Sequence, residues 1–262
     1  METKRFYGIE FKVYTDTKIE GDFIHPDEAV YFENDVEITG RLEVKYLKCE
    51  KSINVHKSYL VDMWEEVGEY QEVGGSQEVG EYQKVVGPQE VVGYQEIGEF
   101  QEISGYQEVG WHQMVGGYQK VSWSQEVGGF QKIGKYQEIG ESQEVGEYQV
   151  VGRSQEVDGY QKIGRSQEIG GNLRAKSARV SLYSKVGGKY DVEGKVFIGV
   201  CEWRETGKAE KTLTCGEFVS GDIKYGYLKE TGLSKPPEKM IEIDGKKFSQ
   251  NTIKEALKEY LN

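Results

Sequence analysis

A chain of 262 residues has room for one or two compact domains, but 37 % hydrophobic content and 34 glycines are poor material for an ordinary globular core. The net charge is −12, and residues 66–170 hold 18 Asp/Glu against 7 Lys/Arg, so 11 of the excess negative charges (18 − 7) lie mid-chain. Charge of that sign argues against direct contact with nucleic acid or anionic lipid and favours cations or basic protein surfaces.

Composition divides the chain into a mixed β-rich stretch over residues 1–63, a repetitive one over 64–171, a second mixed stretch over 172–237 and a tail over 238–262. Residues 1–13, METKRFYGIEFKV, contain no apolar run of signal-peptide length, and no stretch approaches membrane-spanning length. Cys49, Cys201 and Cys215 are odd in number and widely spaced, which suits small apolar residues in a reducing compartment better than a disulfide framework. A soluble cytoplasmic protein with no membrane partner is the expectation. The segment Asp35–Asp62 alternates apolar and polar residues, as half-buried strands do.

From Gln71 to Gln167 a glutamine recurs in every hexad without a miss, and Val or Ile keeps the same beat from Val67 to Ile169. In the hexad V-G-x-Y-Q-E, side chains alternate along Tyr-Gln-Glu-Val, so Gln and Val share one face and Tyr and Glu the other. The Gly-x pair bends the chain, for which glycine's freedom at backbone angles closed to other residues is the expected reason. A short strand and a corner cannot bury Val alone, so successive units must wrap and stack into a common interior. Three hexads per turn give a triangular coil. Two per turn would match a beat of aromatics in every second hexad (Tyr70, Tyr82, Tyr94, Tyr106, Tyr118, Phe130), but a two-residue corner spans two packed sheets poorly. The expected fold is therefore all-β, a triangular β-solenoid. An isolated inward glutamine amide would cost a few kcal/mol, whereas amides stacked about 4.8 Å apart donate in one direction and accept from the other.

Reading every third hexad gives two outer columns of interest. Glu66, Lys84, Glu102, Lys120, Glu138 and Glu156 mostly alternate in sign, as neighbouring strands prefer. Glu72, Glu90, Glu108, Glu126 and Glu144 place five carboxylates in line before Lys162. That stripe, with Tyr82, Tyr118 and Tyr136 as flanking contact area, is the candidate binding surface for a basic partner.

Gly171–Lys189 alternates again, as a continuation or cap of the coil would. In the tail, Met240–Ser249 reads as two strands around an Asp-Gly turn, with Ser249 capping a short helix that sets Ile253, Ala256, Leu257, Tyr260 and Leu261 on one face.

The hexads resemble the hexapeptide-repeat β-helix, which implies a left-handed coil; glutamine stands here where that family carries a small inward residue. Stretches such as NLRAKSARVSL resemble bactofilins, implying a self-assembling scaffold. The tail resembles a strand-and-helix element of small phage proteins, which implies a phage origin. With that origin, an acidic tyrosine-rich rod that imitates nucleic acid, as pentapeptide-repeat solenoids do, is expected to inhibit a host nucleic-acid-binding or defence enzyme. Hexapeptide β-helices include acyltransferases with a catalytic histidine and protruding loops, but His112 stands alone in a regular face and residues 66–170 carry no insertion. His25, His56 and His112 lack metal-ligand spacing, and no phosphate loop or nucleophile elbow is present. The expectation is a non-enzymatic binding protein without metal or cofactor, with a homo-oligomer or scaffold as the alternative.

Overall fold

The Gln-x-Val units fold as short strands that return to the same place at every third hexad. A computed structural model of the protein describes residues 2–187, 189–202, 212–224, 227–231, 240–243 and 246–249. Three faces result. Strands Gln71–Val73, Gln89–Val91, Gln107–Val109, Gln125–Val127 and Gln143–Val145 form the first. Gln77–Val79, Gln95–Ile97, Gln113–Val115, Gln131–Ile133 and Tyr148–Val151 form the second. On the third, Tyr82–Val85, Phe100–Ile103, Tyr118–Val121 and Tyr136–Ile139 are one residue longer and begin at the aromatic position. Each strand pairs in parallel with the strand three hexads on, Gln71 with Gln89, Gln77 with Gln95 and Tyr82 with Phe100. The aromatic beat of every second hexad thus has no part in the coil. The protein is a three-faced parallel β-solenoid of about 11 turns.

Val, Ile and Gln of every hexad point inward and Glu and Tyr outward, as the alternation requires. Every repeat glutamine from Gln71 to Gln167 is buried. Gln119 Nε2 donates to Gln101 Oε1 at 2.7 Å in the coil before it, and also to Gln107 Oε1 at 3.1 Å on an adjoining face. Gln137 repeats the pair with Gln119 and Gln125 at 2.7 and 3.0 Å. The amides therefore form one braid down the axis. In each hydrogen bond of the braid the Nε2 donates to a residue earlier in the chain, so the bonded amide dipoles add as peptide dipoles do in a helix.

Such a braid has polar ends that need closing. At the N-terminal end stands Glu65, fully buried, where a further glutamine would fall; Gln71 Nε2 donates to it, and Gln83 Nε2 does so at 3.5 Å. A carboxyl suits the donor end of aligned dipoles, although burial pushes Glu65 up to about 8 against the pull of Tyr59, Gln71 and Gln83. Gln77 Nε2, buried at the same end, has no hydrogen-bond partner among the described residues. At the C-terminal end, Ser184 Oγ donates to Gln167 Oε1 at 3.3 Å.

The hexad glycines have another cause than the one expected. None takes a positive φ; among described residues only Tyr7, Gly8 and Gly21 do. A Cβ at Gly80 would lie 1.7 Å from the Asp62 carbonyl oxygen one coil earlier, and one at Gly98 would lie 1.7 Å from the Gly80 oxygen. At these glycines the stacked backbones leave no room for a side chain, whereas Val86, Val92, Ser104, Ser122 and Asp158 hold the same slot in other hexads.

Both flanks continue the same stack. Val36 pairs with Ile53 and Ile53 with Gln71; at the other end Gln155 pairs with Leu173, Leu173 with Tyr190 and Leu213 with Leu228. The first coil packs Tyr14, Phe23 and Phe32 against one another and closes the end of the core with rings. Before it, Thr3–Phe6 and Ile9–Tyr14 pair antiparallel through a two-residue turn at Tyr7 and Gly8, whose φ values of 51° and 85° fit a type I′ hairpin. Met240–Ile243 and Lys246–Ser249 form the expected antiparallel pair. The Asp-Gly turn and the helix after Ser249 lie outside the described residues. So does the Cys201 side chain, while Cys49 and Cys215 are buried free thiols. Among the described residues no helix is long and apolar enough to cross a membrane.

Candidate functional site

With the interior given to Val and Gln, recognition falls to the outward side chains. The first face sets Glu72, Glu90, Glu108, Glu126 and Glu144 in one column, each opposite the next in the parallel register. Neighbours are about 4.8 Å apart along the axis. Asn54 closes the column at one end, donating to Glu72 at 2.9 Å, and Lys162 pairs with Glu144 at the other. Among the described residues no cation forms a salt bridge with the four carboxylates from Glu72 to Glu126.

Phenols bind the stripe from its edge. Tyr70 donates to Glu90 at 3.2 Å and Tyr106 to Glu126 at 3.3 Å, both from the coil before. Desolvation and the surrounding carboxylates push Tyr70 up to about 12 and raise Tyr106 too, so both stay neutral donors. Tyr82, Tyr118 and Tyr136, expected to flank the stripe, do not. They stand in register at the edge of the third face, beside the column Glu66, Lys84, Glu102, Lys120 and Glu138. There Tyr82 donates to Glu102 at 3.5 Å and Lys120 pairs with Glu138 at 3.0 Å. Charge is compensated on this face and left open on the first.

The third-face aromatics line a groove of about 730 Å³ with Glu102, Lys120 and Arg174. Rings Phe100 and Tyr118 stack at 5.2 Å and 3°, and Tyr118 and Tyr136 at 5.3 Å and 19°. On the second face His112 has a local use, since its Nδ1 accepts from the Phe130 backbone N–H at 2.9 Å while its ring lies between Tyr94 and Phe130. No group of His, Cys, Asp and Glu among the described residues is placed to hold a metal ion.

No protein-family model, characterised protein or solved structure matches the chain. The class of the molecule accordingly rests on its own geometry.

Proposed function

We propose that the protein is a binding protein that docks the acidic stripe of its first face on a basic protein surface. The observation that carries this reading is the column Glu72, Glu90, Glu108 and Glu126, in register and, among the described residues, free of salt bridges to cations, while the equivalent column of the third face mixes lysines with glutamates and pairs Lys48 with Glu66 and Lys120 with Glu138. Like charges directly opposite on neighbouring strands destabilise a sheet. A row of Arg or Lys from a partner relieves that repulsion and adds charge-assisted hydrogen bonds. Association is then fast and falls steeply with salt. A groove shaped to hold a nucleic-acid backbone offers such a row, so a nucleic-acid-binding protein is the partner class that fits.

The test titrates an oligoarginine peptide against the full chain between about 50 and about 200 mM salt. The variant E90Q/E108Q/E126Q keeps shape and removes three charges; E78Q/E96Q/E141Q removes three elsewhere and controls for net charge. Loss of affinity confined to the first variant supports the reading. Equal loss in both means that the stripe acts only through net charge, which refutes it.

A further inference from the structure

The aromatic edge of the third face is longer than the open groove. Tyr46, Trp64, Tyr82, Phe100, Tyr118 and Tyr136 stand in register over six consecutive coils. The first two are covered from outside. There the N-terminal hairpin folds back over the face, and Phe6, Ile9 and the fully buried Phe11 join Tyr46 and Trp64 in one apolar cluster. Its contacts are edge to face: Phe11 and Tyr7 meet the Trp64 ring at 6.3 and 5.3 Å, with planes 70° and 67° apart. Its polar contacts use the neighbouring charged column, with Lys48 Nζ 5.3 Å above the Phe6 ring and the Tyr7 hydroxyl donating to Glu66 at 3.3 Å.

The hairpin stops there, but the surface it covers does not. From its tip a hollow lined by Tyr7, Trp64, Tyr82 and Lys84 meets the larger groove at Tyr82. Beyond it Phe100, Tyr118 and Tyr136 are 40, 39 and 37 % exposed and stacked ring on ring, with Lys135 over Tyr118 and Arg153 over Tyr136. The charged column also repeats, since Lys48, Glu66, Lys84, Glu102 and Lys120 are successive register partners. Lys84 and Lys120 hold the place that Lys48 holds above Phe6, and Glu102 the place of Glu66. In the next coil after Tyr136 the aromatic position is Ser154, which also lines the groove.

We propose that this groove is the docking site for a β-ribbon of a partner protein, one that presents aromatic and branched side chains on a single face and lies end to end with the molecule's own hairpin. The covered coils show what such a ribbon must carry: rings to meet the aromatic edges, placed to receive Lys84 and Lys120 from above, and a hydroxyl or ammonium group for Glu102. Edge-to-face packing and cation–π contact supply the attraction. This surface is separate from the acidic stripe, and its partner need not be basic.

A backbone-cyclised, fluorescent peptide carrying the Thr3–Lys12 sequence serves as the probe, and its anisotropy is followed against the full-length chain. Saturable binding is expected, weakened roughly tenfold or more by F100S/Y118S/Y136S and unchanged by E90Q/E108Q/E126Q. Serine is the replacement because Ser154 already occupies this position one coil on. If the triple variant does not fold, Y118S alone, at the centre of the groove, must weaken binding measurably. Absence of saturable binding, or equal affinity for the serine variants, overturns the proposal. So does a concentration-dependent dimer of the chain that the same substitutions abolish, since the groove then belongs to a second copy.

Discussion

Replacing Glu65 with Gln tests the closed end of the amide braid. The wild-type carboxyl is fully buried and is pushed up to about 8 from its ordinary 4.5, chiefly because burial disfavours the charged form. Below pH 4.5 both folded and unfolded chains hold the proton, and the contribution of Glu65 to stability is fully present. Between 4.5 and about 8 the unfolded chain releases the proton while the folded chain keeps it, so stability falls as pH rises. At about 1.4 kcal/mol per pH unit the total loss approaches roughly 5 kcal/mol. Glu65→Gln cannot titrate, and its amide can continue the braid. Urea unfolding of both proteins between about pH 5 and about pH 9 should show curves that diverge, with the variant gaining several kcal/mol by the alkaline end. Parallel pH profiles would refute the reasoning, because they would place the carboxyl in water or pair it with a cation.

Other substitutions probe neighbouring links. Gln119→Glu removes the donors to Gln101 and Gln107 and buries a charge in the braid, and should cost several kcal/mol; a melting temperature within a degree or two of the parent would put the glutamines in solvent. Gly98→Ala sets a methyl group against the Gly80 carbonyl and should destabilise by about 1–3 kcal/mol or more, whereas a neutral result in thermal melts would mean that the corners are looser than drawn. Ser184→Ala opens the carbonyl end and should cost about 1 kcal/mol in urea unfolding. E90Q/E108Q/E126Q should leave stability level or raise it, since it removes repulsion along the stripe; a clear loss would mean that the tyrosine hydrogen bonds to Glu90 and Glu126 matter more.

The coil was legible because its causes are local and periodic. Alternation along Tyr-Gln-Glu-Val sets what is inside, and a register of three hexads follows from three such strands and their corners. Features that depend on what lies one coil away were harder to read. Glycine looked like a residue of special backbone angle, yet at Gly80 its cause is the Asp62 carbonyl, one full coil back. Tyr82 and Glu90 are near neighbours along the chain but occupy different faces; the stripe's own phenols are Tyr70 and Tyr106, each bonding to a glutamate of the following coil. Glu65 gives no sign of its place in the sequence although Glu65-Glu66-Val67 keeps the beat as Gln-Glu-Val would, because a carboxyl in a buried slot reads as an interruption until the polarity of the amides is known. The hairpin's cover over the third face had no local signal at all, since Tyr7 and Glu66 lie far apart in the chain.

The glutamine beat itself is open to one direct measurement. If every repeat glutamine lies in an internal braid, hydrogen exchange of the side-chain Nε2 protons, followed by NMR on glutamine-labelled protein, should show strong protection all the way from Gln71 to Gln167. Interior members such as Gln119 should be the slowest, and the unpartnered Gln77 Nε2 among the fastest. Side-chain amides that exchange at the rate of free glutamine throughout the repeat would contradict the buried braid, and with it the assignment of recognition to the outer faces alone.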